Sequence, residues 1–163
     1  MKRTLLLGIG NTIRGDDGVG IFTARALKKE IHYTNIHIME TQEICINLLD
    51  IIADYEKVII IDSIRTGHKE PGYIYRFASL ESNLMGFAKD RFGTFIEPYS
   101  SHQIGLATII NMANNFYIHM PKDITIFAIE IENGDFFSDT LTPKIRASIP
   151  ELVNIIKQEL FIK

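Results

Sequence analysis

The sequence has one cysteine, Cys45, and no tryptophan. A single thiol excludes an internal disulfide and any zinc or iron-sulfur centre built from cysteines of this chain alone. The neighbours of Cys45 in EICINLL are apolar, so it reads as a small buried hydrophobe. A basic stripe is also missing. Lysines and arginines (17) are interspersed with aspartates and glutamates (20), for a formal charge of −3. Nothing in that distribution tracks a phosphate backbone, and nucleic acid is not an expected partner. No apolar run has the length of a membrane span, so no membrane is expected either. The leading MKRTLLLGIG resembles a signal peptide only in its two cations before leucines. Its apolar run is short, and Asn11, Arg14, Asp16 and Asp17 follow where the hydrophobic region should continue. The expectation is a cytoplasmic protein.

What is present suits a globular α/β domain. With 163 residues, 46% of them hydrophobic, the chain can bury a sizeable core, and residues 1–163 read as one domain without repeats or linkers. TLLLGI (4–9), IHIME (36–40), KVIIID (57–62) and ITIFAIEI (124–131) read as strands. The longer apolar runs among them suit strands covered on both faces. Residues 18–31 and 44–55 carry apolar side chains at helical spacing. That alternation predicts a parallel sheet with right-handed crossovers and helices on both faces. PGYIYRF (71–77) reads as an added edge strand entered through a Pro-Gly turn. SSHQ at 100–103 offers a capping box for a helix. A last helix is expected from about Thr142 to about Phe161, with Pro143 in its first turn and Pro150 kinking or interrupting it.

The most unusual stretch is GIGNTIRGDDGVG, residues 8–20. Gly8 and Gly10 begin a dinucleotide fingerprint, but Ile13 stands where its third glycine belongs. Gly10 and Gly15 have the spacing of a phosphate loop, but Asp16 and Asp17 replace its lysine and hydroxyl. Two carboxylates at the start of a helix repel phosphate, and the backbone N–H groups there keep them ionised and able to accept a cation. Asp16 also reads as a plain helix N-cap, and Asp17 as a favourable first-turn acid. For Asp17 the bracketing glycines, Gly15 and Gly18, favour a site, because glycine weakens a helix start unless close approach requires it.

In an open parallel sheet, ligands bind beyond the carboxyl ends of the strands. Asp62 closes the run VIIID and should lie on the same rim as Asp17. Alone it reads equally as a cap for the SIRTG turn. Paired with Asp17 it reads as a ligand, since a buried carboxylate needs a cation or several donors. His32, His37, His68 and His119 look like ordinary surface or loop histidines. His102 stands in the first turn of the capped helix; alone it reads as a polar surface residue, but the dipole there favours the neutral imidazole that binds metals. Asp17, Asp62 and His102 make an oxygen, oxygen, nitrogen set with room for an outside ligand, as in an exchangeable metal site. No G-x-S-x-G elbow and no H-E-x-x-H are present, which disfavours serine chemistry and excludes a standard zincin. Two other readings stay open: a nickel carrier or chaperone using the same ligands without cleavage, and a nucleotide-binding domain.

GIGNTIRGDDGVG, IIIDSI around Asp62, SSHQIGLATII around His102 and the closing LTPKIRASIPELVNII together resemble the nickel-iron hydrogenase maturation endopeptidases, in order and in spacing. The resemblance implies a three-layer α/β/α fold of phosphorylase/hydrolase-like type around a small twisted, mostly parallel sheet. It implies an endopeptidase, a monomer, that removes the C-terminal extension of the nickel-loaded precursor of a hydrogenase large subunit. Asp17, Asp62 and His102 match the metal-contacting, catalytic positions. Nickel would arrive with the substrate, with zinc or cadmium able to replace it in vitro. Gly10, Asn11, Asp16, Gly18 and Glu40 would line the approach of the substrate. The family carries Asp-Gly-Gly-Thr-x-Gly after its second strand, where this chain has ETQEIC at 40–45. Glu40 keeps the acid and the glycines are gone, which implies a differently shaped substrate groove.

Overall fold

The computed structural model describes residues 2–42, 47–78, 120–132 and 136–161. The expected helix following Ser100, with His102 in it, and Cys45 lie outside the described residues. Strand β1 (Thr4–Ile9) leads through a 3-10 turn (Gly15–Gly18) into helix α1 (Val19–Glu30). Then come β2 (Ile36–Thr41), α2 (Asn47–Ala53), β3 (Lys57–Ile64), β4 (Ile74–Ala78), β5 (Asp123–Glu130) and α3 (Pro143–Leu160). The sheet order is β2-β1-β3-β5-β4, parallel throughout except for β4, which pairs antiparallel with β5 at the edge. The Pro71-Gly72 turn does feed that edge strand.

Both faces of the sheet are covered, which is why its strands read as continuous apolar runs. Leu6, Ile59, Ile61, Phe127 and Ile129 point to the face that carries α1 and α3, where Val19, Leu27, Ile145, Leu152 and Ile156 join them. The alternating set, Leu5, Leu7, Ile9, Val58, Ile60 and Ile126, packs with Leu48 and Ile52 of α2 on the other face. Period-two alternation along each strand therefore divides one apolar run between two cores, giving three layers. Helix α3 continues through Pro150 without interruption. Proline removes one amide donor there, but the buried Ile145, Leu152, Val153 and Ile156 bind the helix to the sheet on both sides of it. Among the described residues no helix is long and apolar enough to cross a membrane.

Two glycines set how close α1 comes to the sheet. A Cβ on Gly20 would collide with the carbonyl oxygens of Ile9 and Ile61, and one on Gly8 with the carbonyl of Gly20. The start of α1 is thus held directly over the carboxyl ends of β1 and β3. At the opposite end of the sheet, Arg76 of β4 grips Glu159 of α3 through two bonds of 2.9 Å. Lys57 donates to the Glu159 carbonyl at 2.8 Å. Gly20→Ala is expected to cost about 2 kcal/mol or more in urea unfolding, because two strand carbonyls must move. Gly67→Ala, in an exposed turn with open space around it but a φ of +70°, is expected to cost about 1 kcal/mol from the left-handed backbone alone.

Candidate functional site

The chain leaves β1 in a turn that folds back on itself. Gly10 has φ +147°, and a Cβ there would collide with the Asp17 carbonyl oxygen, so only glycine lets the two ends of the turn meet. The Asn11 side chain accepts from the Ile13 amide at 3.0 Å, and the Asn11 carbonyl from the Arg14 amide at 3.1 Å. Gly15 and Ser138 are tied through the Gly15 amide and the Ser138 carbonyl at 2.8 Å. The space beside Gly18 is filled by Thr12, Asn11 and Phe22. The space around Gly10 and Gly18, expected to admit a substrate backbone, is thus used by the chain's own turn.

That turn sends its two adjacent aspartates in different directions. Asp16 is 3% exposed. Its Oδ1 accepts from the Thr142 amide at 2.7 Å and its Oδ2 from the Thr142 hydroxyl at 2.9 Å. The N-cap reading of Asp16 is corrected by this: neither the 3-10 turn nor α1 has a side-chain cap. Asp16 instead secures the residue that begins α3, 126 positions away. Thr142 spends its hydroxyl there and does not cap its own helix.

Asp17 is 7% exposed. Its Oδ2 accepts from the Asn11 amide at 3.1 Å and its Oδ1 from the Ser63 hydroxyl at 3.2 Å. Asp62, at 1% exposure, stands on β3 one residue beyond the Gly8–Ile61 pairing, on the same carboxyl rim. Its Oδ1 accepts from the Ser63 amide at 2.8 Å, while its Oδ2 is buried with no hydrogen-bond partner among the described residues. Burial drives the Asp62 carboxyl well above the usual carboxylate range. The Ser63 amide opposes that rise, and the negative charge of Asp17 adds to it. The structure thus brings Asp17 and Asp62 together, with Ser63 bonded to both.

Sequence reasoning missed Ser63 and Thr142. The strand runs on past the expected end at Asp62 to Ile64, and a serine inside a strand carries no motif, although the Thr-Pro pair at 142–143 did mark the helix start. Glu40 shares the rim, paired with Gly8 across β1 and β2. It is bound to Arg25 at 3.0 Å and Lys28 at 2.9 Å on α1. Burial alone would raise its pKa, but the bonds and charges of Lys28 and Arg25 outweigh that and lower it. Among the described residues no three His, Cys, Asp or Glu side chains gather as a metal cluster. The pair Asp17 and Asp62 nevertheless suits a cation. A buried carboxylate oxygen without a donor, close to a second carboxylate, is the arrangement a positive ion relieves.

The raised Asp62 pKa has a definite sign for stability. Its contribution is full below about pH 4, the unfolded value, and falls as pH rises toward the folded value, because the folded state resists ionisation. Asp62→Asn, uncharged throughout, is therefore expected to melt at least about 2 °C above the wild type at pH 7 in EDTA. The difference should shrink toward pH 4. A lower melting temperature for Asp62→Asn at pH 7 would show that Asp62 is not destabilised by its burial.

With the geometry established, comparison with known proteins is informative. The profile of the hydrogenase maturation protease family, HycI, matches residues 21–159. The match includes Asp62 and position 102 and begins just after Asp17. The hydrogenase 2 maturation protease of Escherichia coli K12 is 26% identical over 156 residues, covering 94% of this chain and 88% of the relative. The hydrogenase expression/formation protein HupD of Rhizobium leguminosarum is 26% identical over 152 residues, covering 93% and 70%. The solved structure of the maturating endopeptidase HybD from E. coli superposes with a TM-score of 0.79 at 25% identity, covering 97% of this chain and 91% of HybD. Similar α/β layers around a mostly parallel sheet, with the family match over most of the length, lead to one conclusion: this chain belongs to the hydrogenase maturation protease family.

Proposed function

We propose that this protein is an endopeptidase that removes the C-terminal extension from the precursor of a nickel-iron hydrogenase large subunit, and that it engages the precursor through the nickel already inserted there. Membership of the family supports the reaction. The observation that carries the role of the metal is the buried Asp62 Oδ2, without a hydrogen-bond partner among the described residues, beside the Asp17 carboxylate. A buried carboxyl whose ionisation is disfavoured by burial and by the neighbouring Asp17 charge favours an incoming cation. His102, placed by the sequence pattern in the first turn of a helix, is the nitrogen ligand that completes the set.

The chain's own part is mainly positioning. Ser63 orients both carboxylates, by its hydroxyl to Asp17 and its amide to Asp62. Asp16 fixes the turn to α3 and takes no direct part, since both of its oxygens are occupied by Thr142. The substrate nickel, when bound, places the scissile bond and polarises its carbonyl. A carboxylate of this rim, ionised once the cation is in place, would take the proton of an attacking water. The loop from Glu40 onward, which lacks the family's glycines, would shape which hydrogenase is accepted.

Incubation with a nickel-loaded large-subunit precursor should shorten the precursor at its C-terminus, as read by intact-mass spectrometry. Asp17→Asn and His102→Ala should each slow that cleavage at least about 100-fold, the scale lost when one positioned transition-state contact is removed. A nickel-free precursor should stay intact. Equal cleavage of loaded and nickel-free precursors would overturn nickel recognition. Nickel binding by calorimetry with no precursor shortened would instead identify a carrier or chaperone.

A further inference from the structure

Helices α1 and α3 both begin at the rim that carries the carboxylates, and a cleft of about 370 Å³ lies between them, bounded on one side by residues 139–141. Its wall is apolar at Phe22, Leu141 and Ile149. Its charged members are Arg25, Lys29 and Arg146, with Asp139 as the one acid among them. Glu40 already neutralises Arg25 at 3.0 Å. Lys29 and Arg146 have no ion-pair partner among the described residues. On a chain with a formal charge of −3, this is a local concentration of positive charge over an apolar floor.

We infer that this cleft binds an acidic and apolar segment of the protein substrate, with an apolar side chain against Phe22, Leu141 and Ile149 and carboxylates toward Lys29 and Arg146. The inference rests on the peptidase reading above and adds a second contact with the precursor, distinct from the nickel. The position supports it. Leu141 immediately precedes Thr142, which holds Asp16 beside the candidate ligand Asp17. A segment seated in the cleft is therefore connected through one short stretch of backbone to the carboxylate rim. The dimensions agree as well. From residue 22 to residue 29 a helix rises about 10 Å, the length of about three extended residues. Two cations with no ion-pair partner among the described residues gain most from a partner's carboxylates, because no described ion pair has to be displaced.

Binding is tested on the whole protein by fluorescence anisotropy with a fluorescein-labelled Glu-Leu-Glu-Glu peptide and a Lys-Leu-Lys-Lys control. The acidic probe should bind, weaken as salt rises, and lose at least tenfold in affinity in Lys29→Glu/Arg146→Glu. The basic probe should not bind the wild type. In precursor cleavage the same double variant should raise KM about tenfold and leave kcat and the melting temperature unchanged. Lys29→Gln/Arg146→Gln should lie between. No binding of the acidic probe, equal binding by the variant, or a KM within twofold of the wild type overturns the cleft. If the probe behaves as expected while the wild type leaves every precursor uncut, the peptidase reading fails and the ligand class of the cleft stands.

Discussion

The carboxyl rim depends on a turn in which two neighbouring aspartates are both buried and are satisfied from opposite directions. Asp16 is held by the backbone and hydroxyl of Thr142, at the entrance to the last helix. Asp17 is held by the Asn11 amide and the Ser63 hydroxyl, at the entrance to the first helix and the end of β3. Burial of a carboxylate is costly unless donors replace water. The pair therefore requires the turn, β3 and α3 to arrive together, and few other arrangements of these elements would supply donors to both.

That requirement separates a structural acid from a reactive pair. Asp16 has every oxygen answered from within the chain and links distant segments. Asp62 has one oxygen answered by its own neighbour Ser63 and one with no partner among the described residues, and the charge of Asp17 adds to the cost of ionising it. A carboxyl whose charged form is disfavoured by burial is relieved by a cation from outside. Stability and function are opposed at Asp62. The fold tolerates that residue because hydrophobic layers on both faces of β3 hold the strand in place.

Close approach of α1 to the sheet makes the opposition possible. Glycine at 8 and 20 lets the helix start lie against the backbone of β1 and β3, bringing Asp17 within electrostatic reach of Asp62. The glycines of the first turn serve the same end. They are consumed in folding the turn back over itself, at Gly10 against the Asp17 carbonyl, which explains why so short a segment contains so many of them.

Much of this was legible beforehand. Apolar runs bounded by polar residues marked β1, β3 and β5, and the Pro-Gly turn marked the antiparallel edge strand, because burial on both faces leaves a local trace in composition. The position of Asp62 at the end of VIIID placed it on the same rim as Asp17 for the same local reason. The partner of Asp16 was not legible, since Thr142 lies 126 residues away and a hydrogen bond across that separation leaves no periodicity. Ser63 was missed because its role depends on where α1 places Asp17. Nor could the sequence show that α3 would pass through Pro150, where tertiary packing outweighs a local breaker. By itself, then, the sequence determined the layers, the strands and which acids are candidates, all properties of local pattern. Only the tertiary structure decided which aspartate is structural and which oxygen is left without a donor, because both depend on what distant segments bring to the rim.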